Sequence, residues 1–468
     1  MSLSGEAIFL SDSEISSFKK NFSGPLLKEE DKDYNEARLI WNGMINKHPA
    51  LIVRCKNSKD VSLAVKFAKN YNLLTSVRGG GHNVAGNAVC DGGLMIDLSL
   101  MNNISVDTKT KVAKVEPGCT LGNADTTTQK FGMVIPSGIV TSTGVAGLTL
   151  GGGFGWLSRK WGLSCDHLIS TEVVTAEGEI INVSAENNPD LFWGLKGGGG
   201  NFGIVTSFKF NLRELGPEVT GGLVLYKLVD TENVLSFYNE YISTAPREVT
   251  TVLVYRYCPP APFVKEEFHG KPVFGIGALY AGKADKGLEV LKPIKQFGSP
   301  IGDMIIPKPF VIHQAMLDAG QPKGECYYWK SEFLKTVSQS LSEKFVEQTL
   351  NMSSKSSIIA AFQLGGAIAD VGEADSAYSF RNAGYAININ TQWQNHSSPD
   401  KHIDWARKTQ QLTTPYSMGS GYINFASADE TEQRVVATYG NNKYKKLVDL
   451  KRKFDPDNFF RLNQNIKP

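Results

Sequence analysis

The sequence has little of what builds metal sites, membrane spans or polyelectrolyte binders. Its six cysteines (Cys55, Cys90, Cys119, Cys165, Cys258, Cys326) form no CxxC pair, and its seven histidines show no HxxxH or HxxEH spacing, so a protein-built metal site is not expected. No apolar run reaches the roughly 18 residues of a membrane span. The opening MSLSGEAIFLSDSEISSFKK has no basic region followed by an apolar core, so no export signal is read there. Scattered thiols agree with a reducing compartment, and the cytoplasm is the expected location. Lys plus Arg (49) against Asp plus Glu (47) leaves a formal charge of +2. A field that weak gives no reason to expect nucleic acid or an anionic membrane as a partner. Repeats and low-complexity tracts are also missing.

What is present is bulk and unevenly placed glycine. At roughly 100 to 200 residues per domain, a chain of this length holds two to four structural units. The 468 residues include 24 Phe, 16 Tyr and 7 Trp, too many for a disordered chain. The 46 glycines concentrate in three clusters between Gly79 and Gly203. Such clusters mark backbone packed tightly against something.

Between Pro49 and Leu100, LIVRC, TSVRG and GLMIDLS alternate as strands with the helix DVSLAVKFAKNYN, which the pattern caps at Asp60. A second helix is expected from Thr120 to a stop at Gly132, and a strand pair about Glu177-Gly178. Beyond Leu215, VTGGLVLYKL, TTVLVYRYC, PVFGIGALYAG, SSIIAAFQLGGAIAD and GYAININTQW read as sheet strands. DTENVLSFYNEYI, KADKGLEVLKPIKQFG and PDKHIDWARKTQQL read as helices between them. The tail ending DPDNFFRLNQNIKP is too apolar to be free and must pack.

Gly198 to Gly203 satisfies GxGxxG, but a dinucleotide fold needs a strand before that motif and a helix after it. Here NPDLFWGLK before it is helical and IVTSFKFNL after it alternates as a strand, so the order is reversed. Val77-Arg78-Gly79-Gly80-Gly81-His82-Asn83 follows a strand, and its glycines let successive N–H groups curl around an anion.

VRGGGHN, PSGIVTSTGVAGLTLGGGFGWLSRKWGLSCDHL, DLFWGLKGGGGNFGIVTSFKF and YGNNKYKKLVDLKRKFDPDNFFRLNQNI together resemble the vanillyl-alcohol oxidase superfamily, in its berberine-bridge-enzyme-like branch of FAD-linked oxidases. The resemblance implies an α+β fold. A PCMH-type FAD-binding domain of two α+β subdomains would span 40–213. A substrate domain with an antiparallel sheet backed by helices would span 214–420, and the segment 421–468 would return to the FAD domain. It implies FAD bound covalently by His82 through the flavin 8α carbon, with Arg78, Gly79, Gly80, Gly81 and Asn83 around the pyrophosphate. Ser142, Thr143, Gly144, Gly147, Gly152, Gly153 and Gly155 would lie along the cofactor, Gly203 and Val205 near the adenine, and Asn463 and Asn465 against the FAD domain. Many relatives attach the flavin a second time through a cysteine. Val140 stands at that position and Cys165 reads as a small buried residue, so single attachment is expected, as in the branch resembling 6-hydroxy-D-nicotine oxidase. Three residues beyond Val140, Thr143 occupies a position proposed in the family to gate oxygen.

The resemblance also implies the chemistry. Tyr422 in GYINF matches the family's general base, although a tyrosine of pKa about 10 needs help to act as one. Lys330 is a candidate helper and Gln363 a candidate substrate contact; a structural Tyr422 and an ordinary sheet face stand beside those readings. The expected activity is oxidation of a small alcohol, carbohydrate or cyclic amine, with O2 reoxidising the flavin to give H2O2. A dehydrogenase with another acceptor, or a non-catalytic dinucleotide-binding protein, remains the alternative.

Overall fold

Residues 1–394 and 398–468 are described by the structure, a computed structural model. Short apolar strands punctuated by glycine form three principal sheets. In the first, Leu26–Leu27, Leu51–Arg54, Leu94–Asp97 and Thr75–Arg78 lie in that order, the last three parallel. Parallel neighbours need a crossover, and the helix Ser58–Asn70 supplies one. Its cap is Asn57, whose side chain accepts the Asp60 N–H at 3.0 Å. The expected cap, Asp60, sits inside the first turn and accepts instead from Ser23 and from the Lys56 N–H.

The second sheet is antiparallel: Ile104–Asp107, Val112–Val115, Ile204–Asn211, Leu168–Val174 and Ile180–Ser184. The helix Leu121–Gln129 packs beside it, opened by a Thr120/Asn123 capping box. The helix Pro189–Leu195 precedes the Gly198–Gly203 loop and the strand Ile204–Asn211 follows it. This is the reverse of the dinucleotide-binding order, as read from the sequence.

The third sheet has eight antiparallel strands. Gly302–Asp303, Glu218–Lys227, Pro272–Tyr280, Val249–Tyr257, Ile358–Gln363, Tyr385–Trp393 and Cys326–Leu334 follow in order, and Ile306–Pro309 also pairs with Glu218–Lys227. Four helices, Thr231–Thr244, Ala284–Gln296, Gln339–Leu350 and Asp400–Thr413, cover one face with Tyr238, Leu291, Phe345 and Trp405. Because side chains alternate along a strand, the other face carries Val252, Val254, Ala360 and Phe362 towards Trp156 and Phe154 of the glycine-rich region. The candidate site lies on that second face.

The tail packs as its composition requires. Leu447 and Leu450 join the core of the second sheet, and Phe459 and Phe460 that of the first. Lys451 is fully buried: its Nζ lies 2.6 Å from Asp455 and donates to the carbonyls of Asn201 and Phe460. Asn201 Oδ1 in turn accepts the Ile466 N–H, so this knot ties the tail to the Gly198–Gly203 loop. Removing one partner leaves a buried charge uncompensated, so Lys451→Met is expected to cost about 3 to 5 kcal/mol. Denaturant unfolding would measure it; a loss within experimental error would contradict the knot's importance. Among the described residues, no helix is long and apolar enough to cross a membrane.

Candidate active site

The strand Thr75–Arg78 runs directly into Gly79-Gly80-Gly81-His82-Asn83, and the N–H groups of Gly79 to Asn83 find no acceptor among the described residues. A Cβ on Gly80 would fall 2.4 Å from the Gly144 Cα, so the loop can press this closely on residues 143–144 only without a side chain there. Gly81, at φ +67°, turns the chain in the left-handed region. The His82 ring that follows stacks on Trp41 at 4.2 Å, and Trp41 stacks on Tyr327 at 3.8 Å. His82 Nε2 lies 3.1 Å from Ser142 Oγ. Burial pushes the imidazole pKa down to about 4, which leaves the ring neutral at pH 7.

Tyr422 stands at the second wall, 3% exposed. Its phenol oxygen accepts the Gly153 N–H at 3.0 Å and Asn424 Nδ2 at 2.8 Å, and its own hydrogen has no acceptor among the described residues. Asn424 is anchored by donating to the Leu148 carbonyl. Burial raises the Tyr422 pKa, while the two N–H donors pull it down less strongly. Phe154 and Phe425 pack on the ring at 4.6 and 5.0 Å.

The third wall is the face of the large sheet opposite its helices. Trp329 on the edge strand Cys326–Leu334 lies opposite Asn390 and meets Trp41 and Phe425 edge-on. Asn388, Asn390 and Gln392 share that face, since Tyr385, Ile387 and Ile389, of the opposite parity, enter the helix-side core. Trp329 Nε1, Asn388 Nδ2, Asn390 Oδ1 and Gln392 Oε1 are buried without a partner. Buried polar atoms left unpaired are costly, so this wall is suited to a ligand that completes them.

These residues fit a bound FAD. Five successive open N–H groups suit a pyrophosphate. Asn463 and Asn465 each bury an Oδ1 with no partner, beside the Gly198–Gly203 loop, which suits a donor from the cofactor. The region 49–184 matches the family described as "FAD binding domain", and 421–467 matches "Berberine and berberine like". An FAD-linked oxidoreductase of Dictyostelium discoideum is 32% identical over 97% of both chains. The chain belongs to the berberine-bridge-enzyme-like FAD-linked oxidoreductases. It is also 30% identical to a carbohydrate oxidase of Microdochium nivale, over 93% of this chain and 91% of that one. The crystal structure of 6-hydroxy-D-nicotine oxidase from Arthrobacter nicotinovorans superposes with a TM-score of 0.85 at 25% identity, covering 96% and 98% of the two chains. An enzyme of this family replaces the alternative of a non-catalytic binding protein, and the fold is the expected PCMH-type α+β architecture.

The oxidoreductase brings six of the expected residues into direct contact, in two groups. His82, Ser142, Gly80 and Gly144 meet directly, as do Gly153 and Tyr422. Gly155 is packed on the Ser137 carbonyl, and Gly203 on Val173. The Arg78 guanidinium donates to the Ala37 carbonyl and leaves Nε unpaired. Cys165 is completely buried.

Two expectations need correction. Gln363 points to the helix side, where its Oε1 accepts from Thr251 Oγ1 at 2.9 Å; its neighbour Phe362 faces the site, 5.5 Å from Phe154. Lys330 also lies on the helix side, held by Asp429 at 3.0 Å and Glu430 at 3.3 Å, so its charge is taken up away from the Tyr422 oxygen. In both cases one step of strand register exchanges the faces. Trp41, Asn388, Asn390, Gln392 and Asn424 were missed. The signal for three of them lay in ININTQW, where amides recur at every second position of a strand buried on both faces.

Proposed function

We propose that this oxidoreductase transfers hydride from an alcohol carbon of a small, hydroxyl-rich substrate to FAD held covalently by His82 alone, and that O2 then takes the electrons to give H2O2. The observation that carries this reading is the Tyr422 oxygen, buried between the glycine run and the sheet wall with two N–H donors and no acceptor among the described residues. FAD, when bound, supplies the hydride acceptor. Tyr422 takes the substrate hydroxyl proton from its phenolate form and becomes neutral, and Gly153 N–H and Asn424 Nδ2 stabilise the phenolate from which that transfer starts. Asn388, Asn390, Gln392 and Trp329 offer both donors and acceptors to the remaining hydroxyls. Those four groups are neutral and give an ammonium no counter-charge, which favours an alcohol over a cyclic amine; the carbohydrate oxidase relative supports the same choice. Trp41 and Ser142 hold the neutral His82 ring by its face and its edge.

Since burial holds the Tyr422 pKa above that of a free tyrosine, the base form is scarce at pH 7. The rate of anaerobic flavin reduction is therefore expected to rise with pH, by up to about tenfold per unit, until that raised pKa is passed. A rate independent of pH between 6 and about 10 would contradict the assignment.

Thr143 is half-buried beside Ser142 and Gly144, and its hydroxyl has no partner among the described residues. Thr143→Leu is expected to slow reoxidation by on the order of tenfold by narrowing oxygen access, with anaerobic reduction unchanged. The test of the oxidase reading is stoichiometry: one H2O2 formed per substrate oxidised. Slow reoxidation by O2 combined with fast transfer to a quinone-like dye would make the enzyme a dehydrogenase.

A further inference from the structure

Cys326–Leu334 is the last strand of its sheet, and the chain segment that carries Tyr422 lies along its open side. At one end the Met418 N–H donates to the Phe333 carbonyl at 2.8 Å, and the Phe333 N–H to the Ser420 carbonyl at 2.7 Å. In the middle the Tyr422 N–H donates to Ser331 Oγ at 3.1 Å, and Arg434 Nη2 to the Ser331 carbonyl at 3.1 Å. At the other end one side chain does the work of a neighbouring strand: Ser427 Oγ accepts the Trp329 N–H at 3.1 Å and donates to the Trp329 carbonyl at 2.7 Å. The outward backbone groups of Trp329 and Phe333 are thus paired by a strap instead of a strand.

The helix-side residues of the same strand grip the strap from behind. Lys330, 7% exposed, binds both Asp429 and Glu430. Tyr328 donates to Asp429 at 2.7 Å, and Arg407 lies 2.8 Å from the same carboxylate. Arg434 joins Glu430 to Glu332, which is fully buried. Tyr328, Lys330 and Glu332, of one parity, thus fix the strap from the helix side, and Ser331, of the other parity, holds the Tyr422 N–H from the opposite face. Tyr422 and Asn424 sit between the two fastenings, and their bonds to Gly153 and Leu148 depend on where the strap lies.

We propose that Lys330, through Asp429 and Glu430, and Ser427, through Trp329, are positioning residues that hold residues 420–430 on the sheet edge and thereby set the Tyr422 oxygen for proton removal. This rests on the reading of Tyr422 given above. Neither side chain touches the phenol; each acts through the backbone that carries it. A displacement of about 1 Å at a reacting group costs on the order of a hundredfold in rate, so the effect is kinetic and specific to flavin reduction.

The test is a double-mutant cycle on the flavin-loaded enzyme, followed as anaerobic flavin bleaching by a substrate that bleaches the wild type. Lys330→Met and Ser427→Ala are each expected to lower the limiting reduction rate by about 10- to 100-fold, with the half-saturating substrate concentration nearly unchanged. Lys330→Arg and Ser427→Thr should restore most of the rate. In a Tyr422→Phe background the same changes should cost almost nothing further. Full multiplicative losses in that background would overturn the proposal, because the network would then act independently of Tyr422. A Tyr422→Phe variant that bleaches at the wild-type rate would overturn the base assignment itself, and the proposal with it, from that single variant alone. Should Lys330→Met fail to fold, Asp429→Asn and Ser427→Ala carry the same comparison.

Discussion

Tyr422→Phe is expected to slow anaerobic flavin reduction by a factor of about 100 to 10,000, the usual cost of removing a general base, and to leave reoxidation unchanged. The substitution keeps the ring that packs on Phe154 and Phe425, so the site stays closed. It deletes only the oxygen that the Gly153 N–H and Asn424 serve. Two donors aimed at one buried oxygen are a poor arrangement for a purely structural phenol, which would be expected to donate its own hydrogen to an acceptor as well. They suit an oxygen that becomes negative. The rise of the reduction rate with pH should disappear in the variant along with the rate itself. A residual rate that still climbs with pH would place the proton on another group, and near-normal bleaching would remove Tyr422 from the chemistry.

His82→Ala is expected to abolish covalent flavin completely while some FAD remains bound. The open N–H run from Gly79 to Asn83 is backbone and survives the change, as do Asn463 and Asn465. The variant also loses the ring that Trp41 stacks on and that Ser142 orients. Substrate oxidation should slow because an attached imidazole raises the flavin potential. In the wild type, flavin mass after tryptic digestion should sit on the peptide containing His82. A flavin-bearing peptide containing Cys165 would contradict single attachment. Cys165 is completely buried and hydrogen-bonds through its N–H to the Gly152 carbonyl, beneath the glycine run.

The sequence was most legible where a feature is local. The helix start at Thr120, the Glu177-Gly178 turn and the helix-before-strand order around Gly198–Gly203 depend on a few consecutive residues, and the structure has them as read, although that helix ends at Gln129, before the expected stop at Gly132. The buried tail was legible because Phe459 and Phe460 have no other reason to occur so near the end of the chain. Strand parity was not legible. Ile358–Gln363 and Cys326–Leu334 are covered on both faces, so neither Phe362 against Gln363 nor Trp329 against Lys330 shows by hydropathy which side meets the cofactor. That choice is made by the helix layer, through Trp405, Phe345 and Tyr238, all outside the two strands themselves. Trp41 lies outside any periodic pattern, and its role exists only once folding sets it between His82 and Tyr327. Asp60 lost the cap to Asn57 for a smaller reason: two capping side chains stood within one turn, and Ser23 recruited one of them.

Oxidation of an alcohol carbon at a flavin beside Tyr422 is the expected reaction. It is tested most directly by exposing the purified flavoprotein, without oxygen, to sugars, simple alcohols and cyclic amines in turn while following flavin absorbance. Bleaching by hydroxyl-rich compounds, steeper at higher pH and lost in Tyr422→Phe, is the predicted result. Bleaching by cyclic amines alone, unchanged in Tyr422→Phe, would contradict it.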